Sequence, residues 1–192
     1  MKIAVLGGGN GSFAAAGDFA LGGHEVRLWR RDAKQVAAHQ REGSRLFVKD
    51  VNGPHDISLA LVTTDIAEAV REAELILCPA PAFAQADIAK QVASHLRDGQ
   101  VVFLPPATFG SMIFARAAND AGNRASVSFA ETGTLPWLTR KHDDGHQCRL
   151  WNRVDHHQQR IKERFDCAAA AHDQTERDRH RQRNTKADHH AA

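Results

Sequence analysis

Four glycines, an asparagine and a serine follow the first apolar run of the chain, as Gly7-Gly8-Gly9-Asn10-Gly11-Ser12. The spacing matches G-x-G-x-x-small, with Gly7 and Gly9 in the glycine positions and Ser12 as the third small residue. In this pattern the first glycine permits a tight turn, the second lets the backbone approach a pyrophosphate, and the third position lets a helix pack on its strand. The positive end of that helix then faces the anion. We predict a dinucleotide site with contacts from Gly7, Gly9, Asn10, Gly11 and Ser12.

A glycine-rich turn also joins strands to helices for purely conformational reasons. Here the glycines follow a strand pattern and open a helical one, and Lys2 to Arg31 forms a unit of about 30 residues, as dinucleotide folds require. The Gly-Lys-Ser/Thr ending of phosphate-loop nucleotidases is missing. Dinucleotide binding is therefore favoured over a structural turn.

The second apolar run ends in Trp29-Arg30-Arg31, about 20 residues after the glycines. An NAD site normally has an acid there, whereas arginines suit the 2′-phosphate of NADP. Arg30 and Arg31 thus predict NADP as cofactor. In the alternative interpretation both arginines are a solvated strand end and Asp32 is an imperfectly placed acid, which leaves NAD open.

The elements that position these residues alternate between strand and helix patterns. Several of the strand patterns are nearly continuous apolar runs, which are typical of strands covered on both faces. The sequence therefore predicts an α/β fold, a Rossmann-type doubly wound parallel sheet, over an antiparallel sandwich. Asp65 with Glu68 predicts a capping box, and Asp98-Gly99 a stop after the fourth helix. The six predicted strands are Ile3–Leu6, Val26–Trp29, Leu59–Val62, Leu75–Cys78, Val101–Leu104 and Val127–Ala130, and the five helices are Ser12–Leu21, Ala33–Arg41, Ile66–Glu72, Gln85–Leu96 and Ser111–Ala121.

Composition limits the class of protein. The 192 residues are 42% hydrophobic and 25% charged, which excludes collagen, coiled-coil and wholly disordered chains. No apolar run approaches the roughly 18 residues that span a bilayer, and no signal peptide is recognised. The three cysteines are an odd number without metal-type spacing. We therefore expect a cytoplasmic protein without a membrane partner.

The amino-acid composition of the chain changes near Arg140. Residues 141–192 carry the whole formal charge of +2 and eight of the twelve histidines, and they hold too few large apolar residues for a core. We predict a folded domain over 1–140 and a low-order tail over 141–192. A frameshift soon after Arg140 is an alternative origin for the tail.

Two specific functions of the tail, metal binding and nucleic-acid binding, are poorly supported by its sequence. Its histidine pairs and cysteines lack the spacing of a metal site, and the arginine-rich run Arg177–Arg183 is interleaved with an acid and has no nearby Phe or Tyr. We expect no metal and no nucleic acid partner. The potential metal ligands are His156, His157, His189, His190, Cys148 and Cys167.

Several segments together resemble the N-terminal half of the octopine/nopaline (opine) dehydrogenases, over about residues 1–140. They are Ala4–Gly11, Ala16–Asp18, Gly23–Arg31, Pro79–Ala84, Asp98–Val102 and Ala130–Trp137. The glycine segment is shared with glycerol-3-phosphate dehydrogenases. The segment Glu131-Thr132-Gly133-Thr134-Leu135-Pro136 is more specific to opine enzymes.

This resemblance implies an NAD(P)H-dependent oxidoreductase acting on CH–NH bonds, which condenses an amino acid with a 2-oxo acid and reduces the imine. It also implies that Pro81 lies on the nicotinamide side and that Glu131 and Thr132 lie near the substrate, with Glu131 holding a cationic group. Alternatively, Glu131 is a strand-end carboxylate paired with Arg140 or another cation, and Pro81 is only a turn residue. A helical C-terminal domain supplies the catalytic histidine in this family, and nothing after Arg140 resembles it.

The catalytic residue stays unassigned. His24 falls in the turn before the second strand, and His39, His55 and His95 fall on or beside predicted surface elements. Two functional alternatives follow: an inactive NADP-binding module, or a dehydrogenase of a small hydroxy or phospho substrate such as glycerol-3-phosphate. Without its second domain the interdomain face would be uncovered, which predicts self-association through that face.

Overall fold

The computed structural model describes residues 1–50, 52–142 and 147–151, and Met1–Asn152 form one compact unit. A 3-10 turn, Ala93–His95, follows the fourth helix. In chain order the elements are β1 (Lys2–Leu6), α1 (Asn10–Leu21), β2 (Glu25–Trp29), α2 (Ala33–Arg41), β3 (Arg45–Asp50), β4 (Gly53–Ser58), β5 (Leu61–Thr63), α3 (Ile66–Val70), β6 (Leu75–Leu77), α4 (Ala82–Val92), β7 (Val101–Leu104), α5 (Gly110–Asp120), β8 (Ser128–Glu131), β9 (Leu138–His142) and β10 (Gln147–Trp151).

The six predicted strands form one parallel sheet in the order β5-β2-β1-β6-β7-β8. The order runs outward in both directions from the pair β1 and β6, which is the doubly wound arrangement. The inner strands β1, β6 and β7 have wholly buried residues, such as Val5, Ile76 and Leu104, because helices cover both faces of the sheet. The predicted Rossmann-type fold is confirmed.

The helix ends show how local sequence sets the element boundaries. Asp32 caps α2 by accepting the amides of Lys34 and Gln35 at 2.9 and 3.1 Å. Asp65 caps α3 in the same way. The predicted capping box at α3 is only half formed, because the Glu68 carboxylate accepts from the Thr63 hydroxyl instead.

The helix before Asp98-Gly99 ends earlier than predicted. α4 stops at Val92 and continues as the 3-10 turn, and the chain then reverses at Gly99, whose φ of +79° suits glycine. The Asp98 carboxylate accepts the amide of Ser126 at 2.6 Å, so it joins this turn to the segment before β8.

A second sheet, in the order β4-β3-β10-β9, was not predicted. Its first two strands are an antiparallel hairpin whose register pairs Asp50 with Gly53. The sheet packs on α1 at Gly17, where an added Cβ would lie 2.5 Å from Val48 Cγ2. β10 pairs in parallel with β3 and lies beyond residue 140, the predicted end of the folded domain.

Residues 152–192, and with them most of the predicted tail, lie outside the described part of the chain. The predictions for the tail histidines, for Cys167 and for Arg177–Arg183 fall there, and the side chain of Cys148 is also outside the description. Within the described part, no helix is long and apolar enough to cross a bilayer. In the same part, no three His, Cys, Asp or Glu side chains are grouped as a metal site would require.

Candidate functional site

The candidate site lies where the strand order reverses, between β1 and β6. In doubly wound sheets ligands bind outside the carboxyl ends of the strands at this point. The loops after the two strands touch here, because an added Cβ at Gly11 would lie 3.3 Å from Pro79 Cβ and 3.2 Å from Leu135 Cδ1. Glycine at position 11 therefore allows the start of α1 to lie against the end of β6.

The glycine loop has the geometry expected of its pattern. Gly7 has φ +131°, and its amide donates to the carbonyl of Trp29 at 2.9 Å. A Cβ at Gly7 would lie 2.6 Å from Ser12 Oγ, so the turn is closed tightly against the buried Ser12. Gly9 differs, since no atom lies within 4 Å of an added Cβ. The loop is thus packed at Gly7 and open at Gly9.

The N-terminus of α1 has no side-chain cap and no acid in its first turn. α2 and α3 are capped by Asp32 and Asp65. A twelve-residue helix without an anionic cap presents amides and a positive dipole end to the space in front of Gly9. An anion such as a pyrophosphate suits this position.

Arg30 is buried beside the glycine loop, with 3% of its surface exposed. Its Cζ lies 4.9 Å from the centre of the Phe13 ring, and Nη2 donates to Gln35 Oε1. Burial lowers the pKa of Arg30, and the charge of Asp32 opposes this shift. The interpretation of Arg30 as a solvated strand end is therefore wrong. Arg31, by contrast, is exposed.

Phe13 and His39 continue this cluster into the core. The two rings stack with centroids 6.0 Å apart, and His39 Nε2–H donates to the carbonyl of Arg45 at 2.7 Å. His39 is wholly buried, so its predicted position at a surface element is wrong. Its spacing of three residues from the buried Val36 on α2 was the signal that would have revealed this.

Pro81 is exposed and precedes the first residue of α4, at the carboxyl end of β6. The buried Gln85 side chain holds this region in place. Its Nε2 donates to the carbonyl of Ala80 at 3.0 Å and to that of Pro106 at 3.1 Å. One amide therefore joins the loop after β6 to the loop after β7, a role that the sequence analysis missed.

Glu131 acts as a cap for α5. Its carboxylate oxygens accept the backbone amides of Phe109 at 2.9 Å and Ser111 at 2.8 Å. These amides, Ser111 first, lower the pKa of Glu131. Its described partners are these amides and the Ser111 side chain, and the side chain of Arg140, the alternative partner, lies outside the described residues. Thr132 Oγ1 donates to the carbonyl of Thr134 at 2.9 Å. Substrate contacts of Glu131 and Thr132 stay predictions.

The segment after Thr132 folds back onto α1. Trp137 Nε1 donates to Asp18 Oδ2 at 2.9 Å, and its indole meets the Phe19 ring edge-on at 6.2 Å. Leu135 lies against Gly11 in the first turn of the same helix. Segments around residues 18 and 135, which both carry the sequence resemblance, are therefore in contact.

Comparison with known proteins defines the family. The family model described as the N-terminus of NAD-dependent glycerol-3-phosphate dehydrogenase matches residues 2–104, more than half of the chain. The chain belongs to this family.

Individual relatives extend the match. An opine dehydrogenase of Arthrobacter sp. (strain 1C) is 35% identical over 146 residues, 74% of this chain and 39% of the relative. A glycerol-3-phosphate dehydrogenase [NAD(P)+] of Leuconostoc citreum (strain KM20) is 34% identical over 111 residues, 57% of this chain and 32% of the relative. The chain thus spans only about a third to two fifths of these relatives.

Solved structures agree in fold. An octopine dehydrogenase structure with NADH and pyruvate aligns with a TM-score of 0.67 and 24% identity, covering 79% of this chain and 40% of that one. A yersinopine dehydrogenase with NADP⁺ aligns with a TM-score of 0.61 and 16% identity, covering 79% and 39%. The predicted resemblance to opine dehydrogenases and their glycerol-3-phosphate relatives is confirmed.

Three other titratable side chains in the described part of the chain have contacts outside the glycine loop or are unreactive. His24 contacts the N-terminal amine of Met1 at 3.4 Å, at the amino end of β1, and His55 pairs with Asp50 at 2.9 Å. Cys78 is buried, and desolvation raises the pKa of its thiol to about 12. Cys78 is therefore no nucleophile at neutral pH.

Proposed function

We propose that this member of an NAD(P)-dependent dehydrogenase family binds NADP(H) at the carboxyl edge of its parallel sheet. In this proposal the pyrophosphate lies in front of Gly9 and the amides of Asn10, Gly11 and Ser12, and Arg30 and Arg31 take the 2′-phosphate. Pro81 borders the nicotinamide, the group that carries the hydride.

The observation that carries the NADP assignment is the buried Arg30. A guanidinium has five N–H donors, and in the described structure one of them donates to Gln35, while Nε has no partner. A buried cation with so few acceptors suits an anionic ligand, since leaving its donors unsatisfied is costly. NAD stays the alternative cofactor, because an acid near the end of the second strand suits the ribose hydroxyl of NAD. Asp32 is such an acid, and its charge acts on Arg30.

For the reaction we propose the cofactor half of an opine-type oxidoreductase, in which an amino acid and a 2-oxo acid form an imine that is reduced. The support is the opine dehydrogenase relative, whose 146 aligned residues exceed the 103 positions of the 2–104 family match. The Glu131–Trp137 segment, which carries the resemblance to opine enzymes, contacts α1 through Leu135 and Trp137.

Two other functions are kept as alternatives. Reduction or oxidation of glycerol-3-phosphate is favoured by the family model itself. Cofactor binding without chemistry is the second alternative. In the opine proposal the proton donor and most substrate contacts come from a second domain, with 1–140 as the cofactor domain, and the protein acts in the cytoplasm.

An NADPH oxidation assay separates these functions. The full chain is mixed with NADPH, pyruvate and a panel of amino acids, and separately with NADP⁺ and glycerol-3-phosphate. Amino-acid-dependent loss of NADPH absorbance supports the opine reaction, and reduction of NADP⁺ by glycerol-3-phosphate supports the alternative. NADPH that is bound but not consumed in either mixture would support cofactor binding without chemistry for this chain by itself.

A further inference from the structure

Gly8 has no role in the G-x-G-x-x-small pattern, where its position accepts any residue. In this fold it faces the Arg30 guanidinium. An added Cβ at Gly8 would lie 3.0 Å from Arg30 Nε and 3.6 Å from Nη2. The missing side chain therefore makes the space in which the guanidinium lies.

The guanidinium cannot move aside freely. The Phe13 ring lies 4.9 Å from its Cζ, and Gln35 Oε1 accepts from Nη2. Phe13 is itself wholly buried. A methyl group at position 8 would force the guanidinium to shift against these contacts, because 3.0 Å from an added Cβ to Nε is closer than an ordinary van der Waals contact.

We propose that Gly8 is a specificity-determining residue, which selects NADP over NAD by admitting the Arg30 guanidinium to the wall of the glycine loop. Gln35 and Phe13 act as positioning residues for that cation. This inference rests on the proposed binding of a dinucleotide at the loop, and it concerns only the 2′-phosphate by which the two cofactors differ.

The test is Gly8→Ala in the full chain, with dissociation constants for NADP⁺ and NAD⁺ measured by titration calorimetry. We expect the constant for NADP⁺ to rise about tenfold, as for the loss of one charge-assisted hydrogen bond, and that for NAD⁺ to change less than about threefold. Gly9→Ala is the contrast, since it blocks the pyrophosphate and should weaken both cofactors equally. Arg41→Ala, at the far end of α2, removes an exposed arginine and should change neither constant.

Two further variants address the mechanism. Gln35→Ala leaves the loop backbone intact and releases the guanidinium, so it should also weaken NADP⁺ selectively, even where Gly8→Ala fails to fold. With Arg30→Met as background, Gly8→Ala should have no additional effect on the ratio of the two constants, because the residue it acts on is gone.

Equal weakening of both cofactors by Gly8→Ala, or no change in either, would overturn the inference. So would a selective effect of Gly8→Ala that persists in the Arg30→Met background. If the folded wild-type chain binds neither NADP⁺ nor NAD⁺, the proposed function itself fails, and this outcome is distinct from a wild-type chain that binds both with an unaltered ratio in the variants.

Discussion

Replacing Gly9 by alanine separates cofactor binding from folding stability. Gly9 has φ −85° and ψ −179°, a conformation open to any residue, and no atom lies within 4 Å of the added Cβ. We therefore expect the free energy of unfolding to change by less than about 0.5 kcal/mol. The new methyl group stands in front of the first turn of α1, where the pyrophosphate must approach the amides. We expect the dissociation constant for NADPH to rise at least about tenfold, about 1.4 kcal/mol.

Gly7→Ala is the matched variant, two residues earlier in the loop. At Gly7 the φ of +131° is strained for any other residue, which costs about 1 to 3 kcal/mol. The added Cβ would in addition lie 2.6 Å from the buried Ser12 Oγ. We expect a loss of about 2 to 4 kcal/mol in the free energy of unfolding, so this variant fails through stability and not through the ligand.

Both quantities are measurable on the full chain. Urea unfolding followed by tryptophan fluorescence gives the stability, because Trp29 and Trp137 are both buried in the described structure. Titration calorimetry with NADPH gives the affinity. Wild-type affinity in Gly9→Ala would refute the placement of the pyrophosphate, and wild-type stability in Gly7→Ala would refute the packing argument for the turn.

Four other predictions follow from single side chains. Glu131→Gln should lower the free energy of unfolding by about 1 kcal/mol at pH 7. Folding lowers the pKa of this carboxyl below 4.5, so the charged form contributes its stability above that range. The difference from wild type in urea unfolding should therefore shrink as the pH falls through the lowered pKa. Gln85→Leu leaves two carbonyls without their donor and should cost about 2 kcal/mol in urea unfolding, whereas an unchanged midpoint would contradict the proposed joining of the two loops. In a variant whose other two cysteines are serine, Cys78 should react with iodoacetamide only after denaturant is added, and rapid labelling of the native chain would contradict its burial. Phe83 is 85% exposed at the start of α4 and Met112 is 63% exposed on α5. We therefore expect concentration-dependent self-association in sedimentation that Phe83→Glu weakens, and a monomer at all concentrations would exclude these residues as a self-association surface.

The parallel sheet could be predicted because its inner strands, such as β1, β6 and β7, are buried on both faces. Strands such as Leu75–Leu77 and Val101–Leu104 read as short continuous apolar runs, and the intervening helices supply the complementary period. α2 was predicted with its observed bounds, since Asp32 marks its start and the apolar spacing sets its length. The glycine loop could also be predicted, because its conformation depends on six consecutive residues.

The second sheet and the burial of Arg30 could not be predicted in the same way. β3 alternates exposed residues with the buried Leu46 and Val48, and β4 alternates exposed and half-buried residues, so neither strand is a continuous apolar run. Arg30 is buried beside Phe13 and Gln35, which come from two different helices, at a place where Gly8 leaves space. Such contacts depend on the tertiary packing of α1 and α2, which the periodicity within one element does not indicate.

Binding of NADPH and NADH to the purified full chain, measured by titration calorimetry at equal ionic strength, tests the central claim most directly. The account predicts one binding site per chain, with NADPH bound about tenfold or more tightly than NADH because of the 2′-phosphate at Arg30. A folded chain that binds neither cofactor would contradict the claim that the glycine loop is a dinucleotide site, and tighter binding of NADH would contradict the role given to Arg30.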